Sequence, residues 1–245
     1  MKKQKGIFER TEKKYQLSEN QYQAFINLVG DKMKVDQFGN HTISNIYYDT
    51  DDYEVIRHSI EKPKYKEKFR IRGYGDISGE SQVFLELKKK VRGVVYKRRV
   101  SMMHKKMKRY LENGVLPDVE LQEQQILKEI QYFIKLNNQV PKVFLAYDRT
   151  AYEGIWDPSL RITMDRNIRT RSQELDLTRG DYGSVLQKPD YLMEIKVLHT
   201  YPVWLARALS ELEIYPASFS KYGTIYKEFI ARGEEEVCLQ AHLAV

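Results

Sequence analysis

A single cysteine, Cys238, is all the chain carries, so it has neither an internal disulfide nor a thiolate metal site. That scarcity fits a reducing compartment, and a cytoplasmic location is expected. No run approaches the roughly 18 apolar residues that a membrane span needs. The basic stretch 1–10 is followed by no apolar signal segment, so no membrane span or export is expected. The five histidines are scattered. No P-loop and no His-Glu-x-x-His is present, and Gly73-x-Gly75 followed by Gly79 misses the dinucleotide spacing. Internal repeats, low-complexity tracts and long linkers are absent too, which predicts one domain over residues 1–245 with residues 233–245 as a frayed tail.

What the chain has in quantity is positive charge and tyrosine. Its 245 residues hold 41 Lys and Arg against 34 Asp and Glu, a formal charge of +7, which favours polyanionic partners without choosing among them. Eighteen tyrosines and nine phenylalanines suit half-buried strands.

The strongest pattern is period-two alternation in which one face is ionisable. It can be fitted to segments 7–15, 42–49, 66–74, 82–90, 94–101, 142–153, 160–167 and 190–198. Phe8, Arg10, Glu12 and Lys14 share a face of the first. Lys68, Arg70 and Arg72 oppose Phe69 and Ile71, Glu86 and Lys88 oppose Leu85 and Leu87, and Lys97 and Arg99 oppose Tyr96 and Val100. Arg149 goes with Tyr147, then Arg161, Thr163 and Asp165 oppose Ile162 and Met164, and Glu194 and Lys196 oppose Met193 and Ile195.

A charged face ordinarily faces water. Here it is rich in Arg and carries few carboxylates, whereas a solvated face mixes signs and neutral polar groups. Amphipathic helices expected over 18–29, 53–60, 102–111, 119–136, 203–212 and 222–231 would cover the apolar faces. The charged faces then point inward, and eight strands closing into an antiparallel barrel would enclose them. Unpaired buried charges cost several kcal/mol each, so such a lumen demands an anionic guest. The expected fold is α+β, a closed eight-stranded tunnel decorated by helices.

These residues resemble the triphosphate tunnel metalloenzymes, and within them the catalytic domain of the vacuolar transporter chaperone (VTC) polyphosphate polymerases. The likeness runs from Phe8 to about Tyr226, through Arg10-Thr11-Glu12-Lys13-Lys14-Tyr15, Tyr48-Asp49-Thr50, Lys68-Phe69-Arg70-Ile71-Arg72 and Phe84-Leu85-Glu86-Leu87-Lys88. It continues through Tyr147-Asp148-Arg149-Thr150, Arg161-Ile162-Thr163-Met164-Asp165, Leu192-Met193-Glu194-Ile195-Lys196 and Ser218-Phe219-Ser220-Lys221-Tyr222.

The resemblance implies an ATP-dependent polymerase that adds the γ-phosphoryl group to a growing polyphosphate chain, with Mn²⁺ or Mg²⁺ bound. By position, Lys14, Arg70, Arg72, Lys88, Arg149 and Arg161 resemble phosphate-gripping catalytic residues. Arg10, Lys97, Arg99, Lys196, Ser220 and Lys221 extend the phosphate path. Glu194 resembles the metal ligand, with Glu12, Glu86 or Asp165 as helpers or as counter-ions to neighbouring cations. The wider superfamily opens with Glu-x-Glu-x-Lys, and Arg10 replaces the first carboxylate here, which favours transfer to phosphate over transfer to water. Two rivals stay open: a tunnel triphosphatase, and a non-catalytic polyanion-binding module. ATP and polyphosphate are the expected partners and nucleic acid is not, because stacking RNA-binding motifs are missing. A membrane or regulatory partner is left unspecified.

Overall fold

The computed structural model describes residues 11–92 and 94–231. Nine strands and six helices form among them: β1 (Thr11–Leu17), α1 (Glu19–Val29), β2 (Met33–Asp49), α2 (Glu54–Ile60), β3 (Tyr65–Tyr74), β4 (Gln82–Val91), β5 (Val94–Met103), α3 (His104–Asn113) and α4 (Leu121–Leu136). The chain continues through β6 (Val140–Gly154), β7 (Arg161–Arg171), β8 (Ser184–Val185), β9 (Tyr191–Val197), α5 (Val203–Glu211) and α6 (Lys221–Ile225). Arg10 and the 233–245 tail lie outside the described residues.

Local signals account for the helix ends. Ser18 Oγ accepts from the Gln21 N–H (3.3 Å) while Gln21 Oε1 accepts from the Ser18 N–H (3.1 Å), a reciprocal cap that satisfies two orphan donors of α1. Gly114, with φ +68°, closes α3 by donating to the Tyr110 carbonyl, a left-handed stop that costs glycine little.

Strands β1 with β9, β9 with β7, β7 with β8, β2 with β3, β3 with β4 and β4 with β5 pair antiparallel, and the sheet runs β1-β9-β7-β6-β2-β3-β4-β5, with β8 beside β7. The expected closed barrel is not what forms: among the described residues no pairing joins β1 to β5. The outer edge of β1 is taken instead by residues 216 and 217, through a bridge from Tyr15 to Pro216 and an N–H of Ala217 donated to the Lys14 carbonyl (2.7 Å). Alternation fixes which face of a strand is charged, but closure depends on what reaches the end strands. At the other end β5 is blunted by the exposed cations Lys97, Arg98 and Arg99, a common way to protect a free edge.

The described residues group into two compact units. The first holds the segments up to His41, Asp148–Asn167 and Gln187–Phe219, and the second holds Thr42–Tyr147, Ile168–Leu186 and the segment from Ser220. Strands β2, β6 and β7 each have residues in both. In the first unit Tyr15, Ile162, Met164, Met193 and Ile195 pack under Phe25 of α1 and Leu205 and Leu209 of α5. In the second, Phe69, Ile71, Leu85, Leu87 and Val100 pack under Met107 and Tyr110 of α3 and Leu127, Ile130 and Phe133 of α4. Burial of a large apolar side chain is worth about 1.5–3 kcal/mol, so these helices commit each sheet segment to one inner face and leave the charged face on the side away from them. No helix among the described residues is long and apolar enough to cross a membrane.

Candidate functional site

The charged face of the second unit is a grid set by strand register. Tyr47 of β2 stands opposite Arg70 of β3, Arg70 opposite Glu86 of β4, and Glu86 opposite Arg99 of β5. The next row places Lys68, Lys88 and Lys97 side by side. Glu86 is 2% exposed and serves four cations: Arg70 at 2.7 Å, Lys97 at 2.7 Å, Arg99 at 3.2 Å and Arg72 at 3.9 Å. One buried carboxylate therefore stands among four positive charges, a local excess that an anionic ligand would neutralise.

Neutral groups fix the arginines in that excess. Arg70 donates to the Tyr47 hydroxyl (2.9 Å), and Arg72 donates to Asn45 Oδ1 (3.0 Å) and the Tyr147 hydroxyl (3.2 Å). Arg99 lies over the Phe84 ring at 3.7 Å. Tyr47 in turn stacks on Tyr222 at 4.7 Å, and the Tyr222 hydroxyl donates to the buried Asp49 (2.7 Å). Asp49 also accepts from the N–H groups of Thr50, Val55 and Ile56, so it tethers the start of α2. Burial would raise the Glu86 pKa, but Arg70, Arg72 and Lys97 hold it down at about 2. Burial would likewise raise Tyr47, and Arg70 and Arg72 bring it to about 8.

Ser220 and Lys221 belong to this unit as well. The Ser220 hydroxyl accepts from the Gly223 N–H (3.3 Å) as the cap of the five-residue α6, so it is engaged as a cap. The Lys221 ammonium sits 4.3 Å over the Tyr147 ring.

The first unit carries a second charged face. Lys14 of β1 stands opposite Glu194 of β9, and Glu194 opposite Thr163 of β7; one row along, Glu12, Lys196 and Arg161 are neighbours. Glu194 pairs with Lys196 (2.5 Å) and Lys14 (3.8 Å), and Lys196 also approaches Glu12 at 3.7 Å. Lys14 donates to the Phe219 carbonyl (3.1 Å). Arg149 holds the buried Asp165 in a two-pronged fork (2.6 and 2.8 Å), and Arg161, 58% exposed, is 3.8 Å from Glu153. Burial works against the Glu194 charge, yet Lys196, Lys14 and Arg149 keep its pKa at about 2.

The four predicted metal ligands do not converge: no group of three carboxylate, histidine or cysteine side chains among the described residues could hold an ion. Asp165 is engaged by Arg149 and Glu86 by four cations, so both read as counter-ions. Glu194 with its diagonal neighbour Glu12 is the pair that fits a hard divalent cation. The Thr163 hydroxyl opposite Glu194 is buried and has no hydrogen-bond partner among the described residues. One or two carboxylates, completed by substrate phosphates and water, is the manner in which Mg²⁺ is usually held.

Sequence reasoning missed Asn45 and Tyr47, although their alternation along β2 was visible, and it gave no role to Asp49 or Tyr222, which stand in the segments that carry the resemblance. A cavity of ≈ 300 Å³ lined by Tyr22, Thr150, Met164, Arg166 and Tyr191 contains none of the predicted residues. Met164 and Arg166 alternate with Thr163 and Asp165, which puts it on the other face of β7.

Comparison with known proteins fits this geometry. A family model described as the VTC domain matches residues 9–230. Vacuolar transporter chaperone complex subunit 4 of Schizosaccharomyces pombe is 25% identical over 145 residues, covering 51% of this chain and 20% of the relative. Subunit 2 of the same complex from Saccharomyces cerevisiae is 26% identical over 149 residues, covering 51% and 18%. The chain thus spans about a fifth of the curated relatives it matches. Among solved structures, a Hippeastrum protein reported to have a dominant triphosphatase activity superposes with a TM-score of 0.55 at 17% identity, covering 89% of this chain and 95% of that one. A Bacillus halodurans protein provisionally assigned as an adenylate cyclase gives 0.53 at 16%, covering 89% and 96%. At those identities the likeness is one of fold.

Proposed function

The chain belongs to the VTC domain family, and from that premise we propose that it is an ATP-dependent polyphosphate polymerase. The observation that carries the reading is the Glu86 cluster, where four cations surround one buried carboxylate. A terminal phosphate oxygen of the chain attacks the γ-phosphorus of ATP, the bond from that phosphorus to the bridging oxygen breaks, and ADP leaves with the electron pair. The acceptor grows by one phosphate. Its terminal oxygen is already ionised, so no histidine or carboxylate base is required.

Phosphoryl transfer depends mainly on alignment and on neutralising charge at the transferring group. Arg70 and Arg72, with their forks fixed by Tyr47, Asn45 and Tyr147, are suited to orient phosphate oxygens, and Lys88, Lys97 and Arg99 supply further positive charge. In the first unit Lys14, Lys196 and Arg161 do the same beside Glu194. Arg149 keeps its fork on Asp165 and contributes field more than direct grip. Mn²⁺ or Mg²⁺ held by Glu194 and Glu12 would neutralise phosphate charge there when bound. The relatives are named as subunits of a complex, which supports a regulatory partner for this chain.

The test is incubation of the full chain with ATP and Mn²⁺ or Mg²⁺, followed by detection of acid-labile phosphate polymer. Polymer with stoichiometric ADP is the expected result. Free phosphate without polymer would replace the reading with hydrolysis of triphosphate. Binding without ATP turnover would reduce it to polyanion capture.

A further inference from the structure

Beyond the Glu86 row, the same face of the second unit continues as a ladder of lysines. Lys68, Lys88 and Lys97 lie directly opposite one another on β3, β4 and β5, and the next row pairs Lys66 with Lys90. Like charges directly opposite on neighbouring strands are destabilising, so a face built this way needs an explanation. Solvation alone does not give one, because the opposite face of the same strands is neutralised. There Lys89 reaches Glu67 (2.8 Å) and Glu129 (2.7 Å), and Arg98 lies 3.5 Å from Glu129.

On the ladder face, among the described residues, neither Lys88 nor Lys90 has a carboxylate partner. Lys66 donates to the Ser59 carbonyl (3.0 Å), and Lys68 lies 5.8 Å over the Tyr222 ring. Burial, then Lys90, Lys62 and Lys88, lowers the Lys66 pKa. Burial brings Lys68 to about 8, with Lys66 and Lys88 adding to the shift against Tyr47 and Asp49.

Lys66 and Arg70 are four positions apart, a run of ~13 Å along the strand at about 3.3 Å per residue. That is longer than a triphosphate, and the ladder is continuous with the cluster around Glu86. We infer that Lys66, Lys68 and Lys90 form an outer site for a linear inorganic phosphate chain, holding phosphates beyond those that react. The inference rests on the phosphate-chain reading above and adds to it that this ladder discriminates by length. A chain reaching the outer rows stays bound between additions, whereas a triphosphate occupies only the inner rows.

The experiment is calorimetric titration of the full chain with tripolyphosphate and with long-chain polyphosphate over a series of NaCl concentrations. It compares the wild type, Lys66→Ala/Lys90→Ala, and Arg98→Ala on the neutralised face. The expected result is that the wild type prefers the long chain. The double variant narrows that preference by about tenfold, taking each lost exposed pairing at no more than about 1 kcal/mol, and its salt dependence becomes shallower. Arg98→Ala keeps the wild-type preference. A double variant that retains the full preference and salt slope would overturn the ladder while leaving the polymerase reading standing. A wild type that binds neither phosphate ligand would remove both. A single-stranded RNA of matched charge that binds as tightly as polyphosphate, and loses as much in the double variant, would overturn the assignment to inorganic chains.

Discussion

Replacing Glu86 by glutamine tests the electrostatic account of the second unit most directly. The carboxylate is 2% exposed and its pKa is held at about 2 against an ordinary 4.5, burial opposing and Arg70, Arg72 and Lys97 prevailing. The gap, at 1.36 kcal/mol for each factor of ten in proton affinity, makes the ionised form worth about 3 kcal/mol to the fold. That agrees with the ~3–5 kcal/mol lost when a buried ion pair is broken from one side. Because the folded pKa is depressed, this contribution is present above pH 4.5 and disappears as pH falls towards 2. Glu86→Gln should therefore melt about 6–12 °C below the wild type at pH 7 in phosphate-free buffer, with the difference shrinking below pH 4.5. The variant leaves the four cations without their carboxylate, so tripolyphosphate should bind it more tightly than the wild type. At a hundredfold excess over Kd the ligand returns about 2.7 kcal/mol, most of what was lost. Differential scanning calorimetry with and without tripolyphosphate reads both effects. Equal melting temperatures at pH 7, or weaker stabilisation of the variant by tripolyphosphate, would refute the reasoning.

Three further outcomes follow from named contacts. Glu194→Ala should abolish metal-dependent ATP turnover while circular dichroism stays that of a folded protein; unchanged turnover would remove Glu194 as the metal ligand. Lys68 has a pKa near 8, below the ordinary 10.5 because of burial, so its charge costs the fold stability below pH 8, and that cost is relieved as pH rises from 8 to 10.5. A bound polyanion restores the charge, so binding near pH 9 should take up protons, seen as a buffer-dependent calorimetric enthalpy; Lys68→Arg should abolish the uptake, and a buffer-independent wild type would refute the assignment. Asp49→Ala removes the acceptor of three backbone N–H groups and of Tyr222, at a cost of about 2–4 kcal/mol. Hydrogen exchange should quicken first in α2, and unchanged protection there would count against the tether.

Strands were legible wherever the core demanded alternation. All eight expected segments correspond to strands, because a one-residue slip would carry Phe69, Leu85 or Ile195 out of the core. The first half of β2 lay outside the expected segment 42–49, and Gly39 has φ +59° inside the strand. The last helix was expected over 222–231, but regular α-helix ends at Ile225 and Tyr226–Ile230 continues as a π-type turn. Charged rows were visible as rows. Which carboxylate neutralises which cation was not, because that depends on cross-strand register: Glu86 draws cations from both neighbouring strands, β3 and β5, and Glu194 meets Lys14 of β1 from the other end of the chain.

The buried Glu86 and the half-buried Glu194 show why that last step needs geometry. Both have pKa values held at about 2, and both stand opposite cations in a sheet register. Their surroundings differ in stoichiometry. Around Glu86 positive charge exceeds negative by three, two of the partners are arginines fixed by Tyr47, Asn45 and Tyr147, and a divalent cation added there would meet net repulsion. Around Glu194 the close partners are two lysines on flexible stems, 30% and 38% exposed. Those stems can swing towards phosphate, because a lysine side chain is a mobile point charge and not a planar fork. Phosphate arriving at the first unit would draw Lys14 and Lys196 off the carboxylate and leave Glu194, with Glu12 diagonal to it and the Thr163 hydroxyl beside it, as oxygen donors. In the proposed function the same residue type in the same alternation is a counter-ion in one unit and a metal ligand in the other, and the rigidity of its cationic neighbours is what would decide between the roles.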